Sequence, residues 1–344
     1  MIWTTWRQFR PQAVAGLAVL AAAAIYFVAT GLSIHHTFTV DQSSCGATND
    51  CDDVMSTFRS VYAPMFDLSQ VLMIFALGLM GTFWGAPLIA REVETGTHQF
   101  AWNQSVTRTR WLATKLLVLG LASMACAALL GALMTWWAGP LDPIAGSRFA
   151  DNVFVTHDVV PIGYGAFAFA FGSTAGLLLR RTVPAMAATL VVFLAVQIIM
   201  PTLVRPHLLP STTVNFAVNA SIEGQVHGVE ISGTDGSVRL DGPSAPPGAW
   251  ILRTTPIENA AGQAIRASDY PSCFPDFNLP DGQRAQIRPP GGPVACLAAD
   301  DLHETITYQP ASHYWPLQWA ETGILLAISA LLTGFCFWWI RRLS

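Results

Sequence analysis

The side chains of this sequence that could do chemistry fall into three groups. In the first, Asp50, Cys51, Asp52 and Asp53 form a run of carboxylates around a thiol, with His35 and His36 earlier in the chain. Such a set can hold a metal ion, but soft and hard ligands are mixed here without the spacing of a zinc site. Solvated acids beside a disulfide are the better reading, and no metal site is assigned. The second group would be hydrolytic or nucleotide-binding, and it is empty. Neither Gly-x-Ser-x-Gly nor His-Glu-x-x-His occurs. A P-loop needs Gly-Lys-Ser/Thr, whereas Lys115, the only lysine, stands between Thr114 and Leu116. The chain is therefore assigned no catalytic residue and no cofactor of its own. The third group is Arg91-Glu92-Val93-Glu94-Thr95-Gly96-Thr97, in which two acids sit close together beside an arginine. Thr95 or Thr97 can cap a following helix and Gly96 permits a turn. The stretch reads either as a charged turn or as a short surface helix presenting acids to a partner.

Composition decides what must hold these groups. Of 344 residues, 52% are hydrophobic and 12% charged, about half the charge of a soluble domain. Mean hydropathy is +0.42. Neither a soluble enzyme nor a disordered chain fits these values. The net charge of −4 is mild and mixed in sign, so no nucleic-acid partner is expected. An all-α polytopic membrane protein remains. Runs of about 20 apolar residues suffice to cross a bilayer. Six are present, at Ala13–Ile34, Leu68–Ala90, Leu116–Ala138, Pro161–Leu179, Val183–Val204 and Thr322–Ile340.

Lys and Arg are retained on the cytoplasmic side. With both termini inside, the inner segments carry Arg7, Arg10, Arg91, Arg108, Arg110, Lys115, Arg180, Arg181, Arg341 and Arg342 against Glu92 and Glu94 alone. A multi-pass plasma-membrane protein with both termini cytoplasmic follows. The N-terminal apolar run is too long for a signal peptide and lacks a clear cleavage site. Residues 1–12 place Ile2, Trp3, Trp6 and Phe9 at helical spacing with arginines between, the pattern of an interfacial helix among membrane lipids.

Two outer segments result, His35–Asp67 and Arg205–Glu321. The second is expected to be a small β-containing extracellular domain, because Val229–Leu240 reads as two strands around a Gly-Thr-Asp-Gly turn. Four cysteines then lie outside, where thiols oxidise, and the economical pairing is Cys45–Cys51 and Cys273–Cys296. Cys126 and Cys336 fall within spans and read as apolar packing. Lys115 and Glu321 are the ionisable residues near the membrane, and both read as interfacial. Gln197 in the fifth span lines a path or bonds a neighbouring helix, and Phe75 belongs to the apolar side chains of such a path. Gly81/Gly85 and Gly172/Gly176 have the spacing that lets helices approach closely, within one subunit or between two.

Phe83–Lys115, FWGAPLIAREVETGTHQFAWNQSVTRTRWLATK, resembles the membrane subunits of ABC-2-type transporters, especially permeases of high-GC Gram-positive bacteria. In that family a Glu-x-Gly-Thr-like element after the second span begins the region that docks on a separate ATPase. The matching positions here are Glu94, Gly96 and Thr97, beside Arg91, Glu92 and Thr95, within a cytoplasmic loop 91–111. The six-span layout, interfacial N-terminus and inside termini extend the resemblance over most of the chain. The long segment before the last span departs from the simplest members, which have short re-entrant helices there. The resemblance implies a non-catalytic permease subunit of an exporter. ATP and magnesium would be bound by a partner ABC ATPase, and a second permease copy or a paralogue would complete the path. An amphipathic substrate such as an antibiotic, lipid or peptide suits a path poor in charge. The alternative is a membrane sensor or scaffold whose external domain binds a ligand.

Overall fold

The computed structural model describes residues 2–48, 51–96, 107–141, 147–219, 228–241, 246, 248–275, 292–298 and 300–342, without the side chains of 2–13, 15, 17, 41–48, 51–53 and 55. The chain forms two compact units, one of Met1–Leu208 with Tyr314–Ser344 and one of Leu209–His313.

The first unit is helical. Helix α1 spans Ile2–Thr48 and α2 spans Cys51–Met80. A π-helical turn at Gly81–Gly85 passes into α3, Ala86–Glu94. Next come α4 at Arg108–Ala138, the short α5 at Asp151–Thr156, α6 at Val160–Leu179 and α7 at Thr182–Ile199. A second π turn, Met200–Val204, and a 3₁₀ turn, Arg205–His207, close that run. Among the described residues six helical segments are long and apolar enough to cross a membrane: Ala18–Val40, Ser56–Glu94, Arg108–Ala138, Val160–Leu179, Thr182–His207 and Ala311–Ile340.

Helix α6 is the hub of this unit. Its apolar window is 78% buried, against 22% for the first, fifth and sixth spans. Its glycines explain the position. A Cβ on Gly172 would strike the carbonyl oxygen of Gly81, and one on Gly176 that of Ala86. A Cβ on Gly85 would lie 2.6 Å from the Phe169 carbonyl oxygen. The two small-residue pairs of the sequence therefore meet each other inside one chain.

The segment 35–67, expected as a connecting loop, is helical over 35–48 and 51–67. Its polar composition hides a stripe at i, i+4 spacing, Phe58, Tyr62 and Phe66, which packs with Phe27, Phe38, Met134, Trp137 and Val153. Phe38 and Phe58 meet edge to face at 5.6 Å between ring centres. The expected interfacial segment 1–12 is helical from Ile2 and runs unbroken into the first span.

The second unit has its own core. Strands β1 (Thr212–Ala217), β2 (Gly228–Ile231), β3 (Val238–Asp241), β4 (Trp250–Thr254) and β5 (His303–Gln309) form two sheets, with helix α8 at Gly292–Leu297. The three-stranded sheet has the order β1-β5-β4 and is antiparallel throughout. Strands β2 and β3 pair as the hairpin the sequence suggests, with Val229 opposite Leu240. In its turn Gly236 adopts φ 70°, which glycine tolerates without strain, and Asp235 Oδ1 accepts from Ser237 N and Oγ at 3.2 and 2.9 Å. Val238, Leu240, Ile257, Ile265, Phe274 and Leu297 pack together beside the disulfide Cys273–Cys296. The side chains of Cys45 and Cys51, and Asp50 entirely, lie outside the described residues.

From β5 the chain enters α9, Tyr314–Ile340. The last helix therefore begins eight residues before the expected Thr322. Tyr314, Leu317, Gln318 and Glu321 are buried along one face of that added length.

Candidate functional site

At one end of the helical unit, α3 carries Arg91, Glu92 and Glu94 to its last turn. Thr95 closes the helix through N–H and Oγ1 bonds to the Arg91 carbonyl oxygen, at 3.0 and 2.8 Å. Gly96 follows with φ 71°, and a Cβ there would meet nothing within 4 Å among the described residues. Thr97 and the loop to residue 106 lie outside the described residues. The chain returns at Thr107, whose Oγ1 caps α4 by accepting from Arg110 N at 3.3 Å.

Both acids of this turn are tied to other spans. Glu92 pairs with Lys115 of α4. Contrary to the interfacial reading, Lys115 is only 4% exposed and also lies 4.5 Å over the Trp111 ring. Having acquired a carboxylate partner, the ammonium need not reach the surface. Glu94 Oε2 accepts from Thr182 N at 3.0 Å and Thr182 Oγ1 at 2.8 Å. It thereby satisfies an orphan amide at the first turn of α7, where a negative charge is also favoured by the helix dipole. Residues 91–96 are thus fastened to the second, third and fifth spans at once.

From Arg91 and Thr182 a groove of about 1080 Å³ runs along α1 and α2. Leu20, Phe27, Leu72, Phe75, Met80 and Trp84 give it apolar walls, and Arg91 is its one charged lining residue among the described residues. Phe75 stands on this groove, 49% exposed. Gln197 is not among its lining residues, and the Gln197 Nε2 atom is buried without a hydrogen-bond partner among the described residues. His35, considered for a metal, stacks on Trp136 at 5.1 Å, and its Nε2 lies 3.0 Å from the Trp136 carbonyl oxygen.

The opposite end of the fifth span holds a cluster that the sequence did not reveal. Arg205 and Glu321 are both fully buried. Arg205 Nε donates to Glu321 Oε2 at 2.8 Å and Nη2 to Oε1 at 3.3 Å, a two-pronged pair. Tyr164 donates to Glu321 Oε1 at 3.0 Å, and Arg205 Nη1 reaches Asp151 Oδ1 at 3.3 Å. The guanidinium stacks 4.0 Å above the Phe154 ring. Gln318 accepts from Val160 N at 3.2 Å and donates to the Phe154 carbonyl oxygen at 3.1 Å. Glu321 is thus buried rather than interfacial. Sequence reading placed Arg205 at the start of an outer loop. The available signal was a lone arginine closing an apolar run, Met200–Arg205, with no acid near it in sequence.

The model of the family described as ABC-2 membrane transporter related matches residues 17–205. The chain belongs to this family. The match spans the first four membrane-crossing segments and the fifth as far as Arg205, all the groove's described lining but Gly16, and both acids of the α3 turn. No curated protein and no solved structure matches the chain. As an ABC-2 family member it is a membrane transport component, and its six helical segments long and apolar enough to cross a membrane make it multi-pass.

Proposed function

We propose that this ABC-2 family chain is the permease subunit of an ATP-driven exporter in the plasma membrane, with both termini cytoplasmic. A separate ABC ATPase binds ATP and magnesium and docks on Arg91, Glu92, Glu94, Thr95, Gly96 and Thr97. A second copy or a paralogue faces the groove, which carries an amphipathic substrate. The unit Leu209–His313 then lies outside the cell.

The observation that carries this reading is the family match together with the fastening of residues 91–96 to three spans. A docked ATPase that moves this turn moves the N-terminus of α7 through Glu94 and α4 through the Glu92–Lys115 pair. For ATP to drive transport it must favour one of two helix packings over the other, and these bonds are a short route for that bias. A groove with apolar walls and one arginine at its end suits a molecule with an apolar body and a polar head.

Purification from the native host in mild detergent is the first test, and a stoichiometric P-loop ATPase is expected. Glu94→Gln retains an oxygen for Thr182 and removes the charge, so the cap persists. The expected result is a folded chain with at least tenfold less bound ATPase. Full retention of the ATPase by this variant would leave Glu94 as a cap alone. A clean preparation lacking any ATPase would overturn the exporter and favour the sensor.

A further inference from the structure

A second cavity shares no described lining residue with that groove. It is a half-open cleft of about 390 Å³ between α2, the end of α4 and α5. Phe66, Leu141 and Val153 supply buried apolar walls. The polar lining has both signs, Arg59 and Asp67 from α2 and Asp151 and Asn152 from α5, with Gln70 among them.

Gln70 is the telling residue. It is 2% exposed, and its Nε2 has no hydrogen-bond partner among the described residues. Buried donors are nearly always paired, and one left unpaired in a polar cavity asks for an acceptor. Arg59 and Asp67 hold no ion pair among the described residues. Asp151 gives Oδ1 to Arg205 and keeps its other oxygen. The cavity therefore holds one buried donor without an acceptor, Gln70, and beside it the exposed guanidinium of Arg59 and the exposed carboxylates of Asp67 and Asp151. A bare metal ion would leave Gln70 unanswered and face the Arg59 charge. A bare anion would face two carboxylates.

We propose that this cavity binds a small zwitterion. Its phosphate or carboxylate oxygens take the Gln70 and Arg59 donors, and its ammonium takes Asp67 and Asp151. The volume suits a molecule of that size, since small-ligand pockets begin near ~300 Å³. The ethanolamine phosphate head of a lipid and a free amino acid share this chemistry. The outward placement of the cavity rests on the proposed topology; its binding chemistry does not.

The test is a thermal-unfolding titration of the delipidated full-length protein in detergent. Glycerophosphoethanolamine and alanine serve as zwitterions, with ethanolamine and glycerol 3-phosphate as half-ligands at matched ionic strength. A ligand that binds only the folded state raises Tm in proportion to the logarithm of its saturation. A saturable rise with a zwitterion and none with the half-ligands is expected, and the zwitterion that acts identifies the source. Gln70→Leu, Asp67→Asn and Arg59→Gln should each abolish the rise. Asp67 and Arg59 are exposed, so their variants fold even if the buried Gln70→Leu does not. No rise with any probe, an equal rise with a half-ligand, or an undiminished rise in the Asp67 and Arg59 variants overturns the proposal. No ATPase or ATP enters this assay, so its failure leaves the exporter reading standing. Labelling of Arg59→Cys by an impermeant maleimide in right-side-out vesicles supports the outward placement, and labelling only in inverted vesicles overturns it.

Discussion

Arg205 and Glu321 pose the sharpest question of energetics at the scale of single residues. Taking both charges out of water is costly, and only good geometry with further hydrogen bonds offsets it. Here two N–H···O bonds, the Tyr164 hydroxyl and the Asp151 carboxylate supply those bonds. Removing one partner strands the other charge, so Arg205→Met or Glu321→Leu alone should cost ~3–5 kcal/mol. The double variant should recover most of that loss, as read from unfolding midpoints in a double-mutant cycle. Additive losses would mean that the two residues do not act as a pair. Glu304, on β5 of the other unit, is buried in a different way. Burial pushes its carboxyl up to about 7, and the Leu240 backbone and Arg239 offset only part of this. At pH below about 4.5 the group is protonated whether folded or not. As pH climbs towards about 7 the unfolded chain gives up the proton first, so the unit loses stability over that window. Hydrogen exchange of the β5 amides, corrected for intrinsic rates, should show weaker protection at pH 8 than at pH 5. Glu304→Gln should remove the difference, and an unchanged pH dependence in that variant would clear Glu304 of the effect.

At the scale of elements, α6 shows how sparse side chains can build the most buried helix. Its glycines trade side-chain area for backbone proximity, the usual basis of close helix association in membranes. Gly172→Ala and Gly176→Ala each drive a methyl group into a carbonyl oxygen of the chain around Gly81 or Ala86. Each should cost ~1–3 kcal/mol by overpacking. Gly323→Ala and Gly334→Ala on α9 meet nothing within 4 Å and should leave the unfolding midpoint unchanged or raised. Equal losses at all four positions would point to flexibility rather than to packing. The same elements show what the sequence could carry. Apolar runs long enough for a bilayer are explicit in composition, so the six spans were legible, as was the β2–β3 hairpin from its turn chemistry. The glycine spacing was legible too, though not its partner, because spacing does not say which helix fills the notch. The helical character of 35–67 is set by Phe58, Tyr62 and Phe66, and acids and histidines interrupt the sequence there, so no long apolar run marks it. Lys115 and Arg205 were misjudged for one reason: their partners lie 23 and 116 residues away, and burial of a charge is decided by a partner that local sequence does not contain.

Over the whole molecule, the fifth span is held at both ends by carboxylates, Thr182 through hydrogen bonds to Glu94 and Arg205 through an ion pair with Glu321. A helix so held transmits displacement along its length better than one anchored only by lipid-facing Leu and Val. That places the proposed ATPase turn and the buried Arg205–Glu321 cluster at opposite ends of one helical segment. Among the described residues, the core of the unit Leu209–His313, with Val238, Leu240, Ile257, Ile265 and Leu297, is built from that unit's own side chains. Its covalent tie is equally local. The Cys273–Cys296 bridge closes a loop of 23 residues in sequence separation, for which loop-closure entropy gives about 3 kcal/mol. Replacing both cysteines by serine should therefore weaken one unit and spare the other. In hydrogen exchange on the full-length protein, the amides of β2, β3 and Ile257–Ala267 should lose protection, while those of α6 keep theirs. Loss of protection in α6 as well would show that the two cores fold as one. In that case the unit Leu209–His313 would share in the stability of the helical unit and bias its packing directly.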